Sequence, residues 1–219
     1  HLSTRRQRQM CIRDRASSVC WEFTELPVEV IDILENDIKK FDTSIQPSLL
    51  VGDFSNTHIR SSQNTWINTS HWIGGWLWYY VSKINRANFL YDITDIDNET
   101  LQYTHYKEGQ FYSWHSDTAL DTYHKPQVRY ASTVGRGQEE MIQSGEYVRK
   151  LSFTLQLSDP TDYRGGEVEF LDSEGQRFLA PKQRGTMIVF DSRTRHRVRK
   201  VKEGLRKSIV GWVVGPRWK

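Results

Sequence analysis

Apolar residues along the chain show two textures that divide near residue 100. Behind Pro27, a residue tolerated at a first helical position, Val28, Ile31, Leu34, Ile38 and Phe41 recur at three- and four-residue steps. That spacing predicts an amphipathic helix over about 27–41. Residues 42–70, rich in Ser, Thr, Asn and Gln, read mostly as loop. A second helix is expected over about 70–86, with Trp72, Ile73, Trp76, Leu77, Tyr80, Val81 and Ile84 on one side, although the tandem Gly74-Gly75 weakens it. Beyond residue 100 the period falls to two and glycine punctuates short runs, which predicts strands at 101–106, 111–117, 127–133, 148–158, 167–171, 176–180, 186–190, 196–201 and 206–214. In Leu151–Ser158, Leu151, Phe153, Leu155 and Leu157 share one face while Ser152, Thr154 and Gln156 share the other. Such a strand suits a wall between a core and a small-molecule cavity, or a core and solvent. Residues 134–147 form a polar, glycine-marked loop, a plausible lid or substrate-binding insertion.

These patterns predict a mainly β protein with flanking helices (α+β), divided into a basic leader at 1–20, a helical support region at 21–100 and a β domain at 101–219. The 219 residues, with eight Trp and ten Tyr, exclude low-complexity disorder and require a packed core. No run of eighteen apolar residues exists, so no membrane-spanning helix is expected, and with two cysteines and no secretory pattern a cytoplasmic location is expected. The net charge of +3 is unevenly placed. Residues 1–15 carry five arginines and one aspartate, +4 on a segment expected to be non-native or disordered, which leaves −1 for the remainder. A nucleic-acid partner is disfavoured on that balance.

His115 and Asp117, two apart on an expected strand, leave from the same face and could give two cis ligands to a divalent metal. Roughly 0.45 such His-x-Asp pairs would arise by chance from the counts of His and Asp, so a third ligand is needed to give the pair meaning. His196, which follows the apolar run Thr186–Phe190, is the best placed of the other histidines. Two histidines and a carboxylate leave three open positions on an octahedral metal, whereas a closed structural zinc site usually enlists cysteine, and none lies near. Alternation along 206–214 places Arg206 with Ser208, Val210 and Trp212, where a guanidinium suits a carboxylate better than solvent. Arg193, Arg195, Arg197 and Arg199 share the face opposite His196, as a solvated or a substrate-facing stripe.

Three blocks occur in order: Tyr106-Lys-Glu-Gly-Gln-Phe-Tyr112-Ser-Trp-His115-Ser-Asp117; Arg149-Lys-Leu-Ser-Phe-Thr-Leu-Gln-Leu-Ser-Asp-Pro leading to Gly165-Gly166-Glu-Val-Glu-Phe; and His196-Arg-Val followed by Gly204-x-Arg206. Together they resemble the 2-oxoglutarate and Fe(II)-dependent oxygenases of the prolyl 4-hydroxylase type, in particular the short bacterial and phage (PKHD-like) hydroxylases. Many members of that group have lysine where Arg206 stands. The resemblance, over roughly residues 100–216, implies a double-stranded β-helix (jelly roll) with N-terminal supporting helices. It implies Fe(II) held by His115, Asp117 and His196, 2-oxoglutarate held by Arg206 and Tyr106, O2 as oxidant and ascorbate as a reductant. Strand parity adds Thr154 or Gln156 to the cofactor pocket and sets Tyr112 away from it unless a bulge intervenes, while Gly165 and Gly166 are expected to serve a tight turn. The implied reaction hydroxylates a C–H bond of a peptide or protein residue, with prolyl the default, and releases succinate and CO2. Alternatives are a small-molecule or nucleic-acid oxygenase, or a non-catalytic binding module. Oligomeric state is left open.

Overall fold

A computed structural model describes residues 9–11, 19–23, 28–48, 58–118 and 147–218. The expected strand 127–133 and the loop 134–146 lie outside the described residues. The first half of the chain runs β1 (Gln9–Cys11), β2 (Val19–Phe23), α1 (Val28–Ile38), β3 (Gln46–Pro47), β4 (Arg60–Ser61), β5 (Gln63–Asn68), α2 (Trp72–Ile84), β6 (Asp95–Ile96), β7 (Thr100–Tyr106) and β8 (Phe111–His115). The second half runs β9 (Tyr147–Gln156), β10 (Tyr163–Gly165), β11 (Val168–Leu171), β12 (Arg177–Leu179), β13 (Thr186–Asp191), β14 (His196–Val198), β15 (Val201–Gly204) and β16 (Arg206–Pro216).

The strands build two antiparallel sheets. The larger has the order β1-β2-β13-β9-β16-β7-β5-β3, with β6 also paired to β16, and the smaller has the order β12-β11-β14-β8-β4. A separate ribbon pairs β10 with β15. Strands distant in sequence lie side by side in both sheets, as a double-stranded β-helix requires.

The larger sheet is covered on both faces, and its two-residue alternation sorts side chains between them. Met187 and Val189 enter the main core beneath the helices, whereas Ile188 and Phe190 enter a second cluster with Val168 and Phe170 of the smaller sheet. Ile31, Leu34 and Ile38 of α1 and Ile73, Leu77, Val81 and Ile84 of α2 meet Leu151, Phe153, Leu155 and Ile209 in the main core. Each fully buried aliphatic side chain contributes about 1.5–3 kcal/mol, so this helix-on-sheet layer supplies much of the fold's stability.

Both expected helices form, slightly trimmed. A 3-10 turn over Lys39–Ser44 continues α1, and a π turn over Asn85–Phe89 ends α2. Asn85 closes that end by donating to the Tyr91 carbonyl at 2.9 Å and accepting from the Tyr91 amide at 3.0 Å. Gly74 has a packing reason: a Cβ there would stand 2.2 Å from the Thr69 carbonyl oxygen. Two expectations need correction, and further strands are found. Residues 42–70 contain β3, β4 and β5, whose cavity-lining side chains are mostly polar (Gln46, Arg60, Asn64 and Thr65), so no apolar alternation marks them. The expected strand 196–201 is two strands, β14 in the smaller sheet and β15 in the ribbon, because the chain leaves the sheet after Val198. β10 was not anticipated. The segment read as a leader carries β1, which pairs with β2.

Candidate active site

A cavity of about 550 Å³ opens between the two sheets. β7, β9 and β16 line one side, with Gln102, Tyr106, Thr154, Arg206, Val210 and Trp212, and β8 and β14 line the other, with Tyr112, His115 and His196.

β8 and β14 pair antiparallel with His115 opposite His196. Asp117 lies just past β8, and its backbone N–H donates to the Ser192 carbonyl at 2.9 Å, so chain pairing places all three side chains at one point. Asp117 Oδ1 is 3.6 Å from His115 Nε2 and Oδ2 is 3.6 Å from His196 Nε2. The three donor atoms lie within 4.8 Å of one another. His115 Nδ1 is 2.7 Å from the Ser113 carbonyl and His196 Nδ1 is 3.0 Å from the Thr194 carbonyl. A carbonyl only accepts, so both Nδ1 atoms carry the proton and both Nε2 lone pairs face Asp117.

Burial, and then the neighbouring His196, lower the His115 pKa to about 4, which keeps it a neutral ligand at physiological pH. Burial opposes ionisation of Asp117, but His196, His115, a Ser152 hydrogen bond and Arg149 together hold its carboxyl below the ordinary value. A neutral His115 beside an ionised Asp117 gives donor states that a divalent metal needs. With no sulfur ligand and three positions left open, the set fits Fe(II).

The spacing between Tyr112 and His115 contains an irregularity. Opposite His196 and Val198 stand His115 and Tyr112, so three steps on β8 match two on β14. This bulge turns Tyr112 onto the His115 face, where the rings stack at 3.6 Å between centroids. Simple parity, which sets Tyr112 on the opposite face, is corrected by it.

Arg206, 2% exposed, enters the cavity from β16. Its Nη2 donates to Gln156 Oε1 at 3.0 Å and its Nη1 to Ser208 Oγ at 3.3 Å, while Nε has no partner. The Tyr106 ring lies 5.5 Å from the guanidinium carbon. Among the described residues Arg206 makes no ion pair. A buried guanidinium held only by neutral groups is costly unless an anion joins it, and its fork matches a carboxylate. Gly166, at φ +66°, leaves the space that the arginine stem occupies: a Cβ there would meet Arg206 Cδ at 3.1 Å. Thr154, on the same cavity wall, has a buried hydroxyl with no partner. Tyr106 is buried opposite Arg206 on β7. The residues named from the sequence as metal and cofactor candidates thus meet in one cavity.

The arginine stripe does not act as one surface: Arg197 of β14 pairs with Glu169 and Arg199 with Glu167, whereas Arg193 pairs with Asp191 of β13. Sequence reasoning missed Arg60, Arg149 and Trp66 as cavity residues. Arg149 was visible only within its block; it bridges Asp97 at 2.7 Å and the Asp117 carbonyl at 3.3 Å. Arg60 gave no signal, because it sits in a polar stretch without periodicity.

A double-stranded β-helix enclosing a two-histidine, one-carboxylate cluster beside a buried arginine defines the class of non-haem iron oxygenases. The sequence model of the 2OG-Fe(II) oxygenase superfamily matches residues 101–214, and the chain belongs to that superfamily. A PKHD-type hydroxylase of Synechococcus sp. (strain JA-2-3B'a(2-13)) is 34% identical over 110 residues, 49% of this chain and 39% of that protein. A PKHD-type hydroxylase of Parvibaculum lavamentivorans is 43% identical over 63 residues, 29% of this chain and 28% of that protein. The chain therefore spans well under half the length of these curated relatives. A Pseudomonas putida prolyl-4-hydroxylase shares the fold with a TM-score of 0.65 at 18% identity, over 92% of this chain and 94% of that one. A Trichoplax adhaerens prolyl hydroxylase, solved with a hypoxia inducible factor peptide fragment, gives 0.66 at 16% identity, over 90% of this chain and 83% of that one. Among the described residues no helix is long and apolar enough to cross a membrane.

Proposed function

We propose that the protein is an Fe(II)- and 2-oxoglutarate-dependent hydroxylase of an unactivated C–H bond in an amino-acid unit, prolyl or other, carried by a peptide or protein or by a small molecule. The observation that carries this reading is the meeting inside one cavity of His115, Asp117 and His196 with Arg206, which has no acidic partner among the described residues. Iron with 2-oxoglutarate would supply the oxidation, O2 being divided between the new hydroxyl and the succinate that leaves with CO2.

The chain's own residues do the positioning. His115, Asp117 and His196 would hold the metal through Nε2, a carboxylate oxygen and Nε2, oriented by the Ser113, Thr194 and Ser192 carbonyls. Arg206 would pair with the distal carboxylate of 2-oxoglutarate, and the Tyr106 and Thr154 hydroxyls would add hydrogen bonds to it. Phe153, Val168, Phe190 and Val210 line the same cavity and keep water scarce around these charges.

The test is succinate release on adding Fe(II), 2-oxoglutarate and O2, combined with a mass search for a +16 Da product in proline-rich peptides, free amino acids and cell lysate. Succinate that requires Asp117 supports the reading. Absence of 2-oxoglutarate binding by the metal-loaded protein would overturn it in favour of a non-catalytic module.

A further inference from the structure

The cavity holds a second buried cation that the reaction described above does not use. Arg60, on β4, is 8% exposed and lines the cavity with Arg206. Its Nε donates to Ser62 Oγ at 2.8 Å and its Nη2 to Gln102 Oε1 at 2.8 Å. The arrangement repeats that of Arg206. Each arginine bonds the serine two residues on in its own strand segment and a glutamine amide from another strand. Neither meets a carboxylate among the described residues. Of the five N–H groups of Arg60 only two are engaged by these bonds, and Nη1 carries neither.

Its position relative to the metal candidates is set by Tyr112. The Arg60 guanidinium carbon is 4.8 Å from the Tyr112 ring centroid, and that ring stacks on His115 at 3.6 Å. Taken end to end, these place the guanidinium no more than about 8 Å from the His115 ring. The β4 to β8 pairing, with Arg60 opposite Tyr112, fixes the arginine there. The cavity is also large for one cofactor. At about 550 Å³ it has room for a second small ligand beside 2-oxoglutarate.

A desolvated guanidinium with neutral partners is expensive to keep and gains most when an anion arrives. One such group, Arg206, is accounted for by the cofactor. We infer that Arg60 is a specificity-determining residue that binds a carboxylate of the primary substrate, the free α-carboxyl group of an amino-acid unit. This rests on the oxygenase reading above and deepens it.

The test is a binding measurement. The Mn(II)-loaded protein is first saturated with N-oxalylglycine, an inert 2-oxoglutarate analogue that fills the Arg206 end. The twenty common L-amino acids are then titrated as free acids, as primary amides and as the last residue of acetylated tripeptides. Quenching of cavity tryptophans Trp66 and Trp212 and calorimetry report binding. At least one acid is expected to bind tenfold or more tighter than its amide, and Arg60→Gln is expected to remove that preference while leaving the N-oxalylglycine affinity within twofold. Arg60→Lys, which keeps the charge without the fork, should keep part of the preference and serves if the glutamine variant does not fold. Tighter binding of a tripeptide than of its free amino acid would place the carboxylate at a protein C terminus, and the converse at a free amino acid; either supports the inference. Equal binding of acids and amides, or no binding of any acid, overturns it. Loss of N-oxalylglycine binding itself would instead count against the oxygenase reading, so the two failures are separable.

Discussion

Replacing Arg206 by methionine separates a structural from a cofactor-binding role, because the two predict opposite outcomes. Among the described residues the guanidinium has only neutral hydrogen-bond partners, Gln156 at 3.0 Å and Ser208 at 3.3 Å, and an Nε without one. Losing two such bonds costs about 0.5–1.5 kcal/mol each, and no longer burying an uncompensated charge offsets much of it. The Arg206→Met protein should therefore unfold in urea within about 1 kcal/mol of the parent. Binding of 2-oxoglutarate is different. A bidentate carboxylate pair forfeits two charge-assisted bonds of about 1.5–3 kcal/mol each, so affinity should fall by at least roughly a hundredfold. Calorimetry of the Mn(II)-loaded protein reads that change directly, with Mn(II) affinity as the internal control. A 2-oxoglutarate affinity within threefold of the parent, or a loss of several kcal/mol in urea stability, would refute the assignment and make Arg206 a structural residue.

Asp117→Ala should weaken Mn(II) binding by more than about a hundredfold, as metal titration followed by calorimetry would show; unchanged affinity would remove the metal role. Thr154→Val deletes a buried hydroxyl without a partner, so urea stability should hold or rise while 2-oxoglutarate affinity falls about two- to tenfold. Stability should bend at both ends of the pH scale through one pair, in which Tyr91 Oη donates to Asp191 Oδ2 at 2.7 Å. Burial and then Asp191 raise Tyr91 from 10.0 to about 12, so its contribution is complete below pH 10 and is lost between 10 and about 12, an alkaline limb that Tyr91→Phe should remove. Burial opposes ionisation of Asp191, yet hydrogen bonds from Arg193 and Tyr91 hold its pKa below 3.8, so its contribution is present above 3.8 and is lost as pH falls through the lowered value. Asp191→Asn should remove that acid limb, read as urea midpoints across pH.

Elements with strong periodicity were legible from sequence because burial there follows a simple geometric rule. α1, α2, β9 and β13 each place apolar residues on the face that meets the main core, and both helices and both strands form close to the expected bounds. β5 escaped notice because Asn64, Thr65 and Trp66 line the cavity while only Ile67 enters the core. The single break in the 196–201 run reflects a change of hydrogen-bonding partner, which leaves no local trace in residue type.

By itself the sequence determined the local order: which residues alternate, where many turns fall, and that His115 and Asp117 stand two positions apart, one at the end of β8 and the other just beyond it. It also specified the donor chemistry, two imidazoles and one carboxylate without cysteine, and a guanidinium among apolar neighbours. Only the tertiary structure decided which distant groups meet. His115 faces His196 because β8 pairs with β14 across 80 intervening residues, and Tyr112 joins them through a bulge that parity alone cannot foresee. Arg60 is the clearest case. Ser62 is near in sequence, but Gln102, Tyr112 and the cavity come to it only when β4 docks on β8, and until then nothing distinguishes it from a solvated arginine. Backbone ladders set these meetings, and every residue type except proline offers a ladder the same N–H donor and carbonyl acceptor.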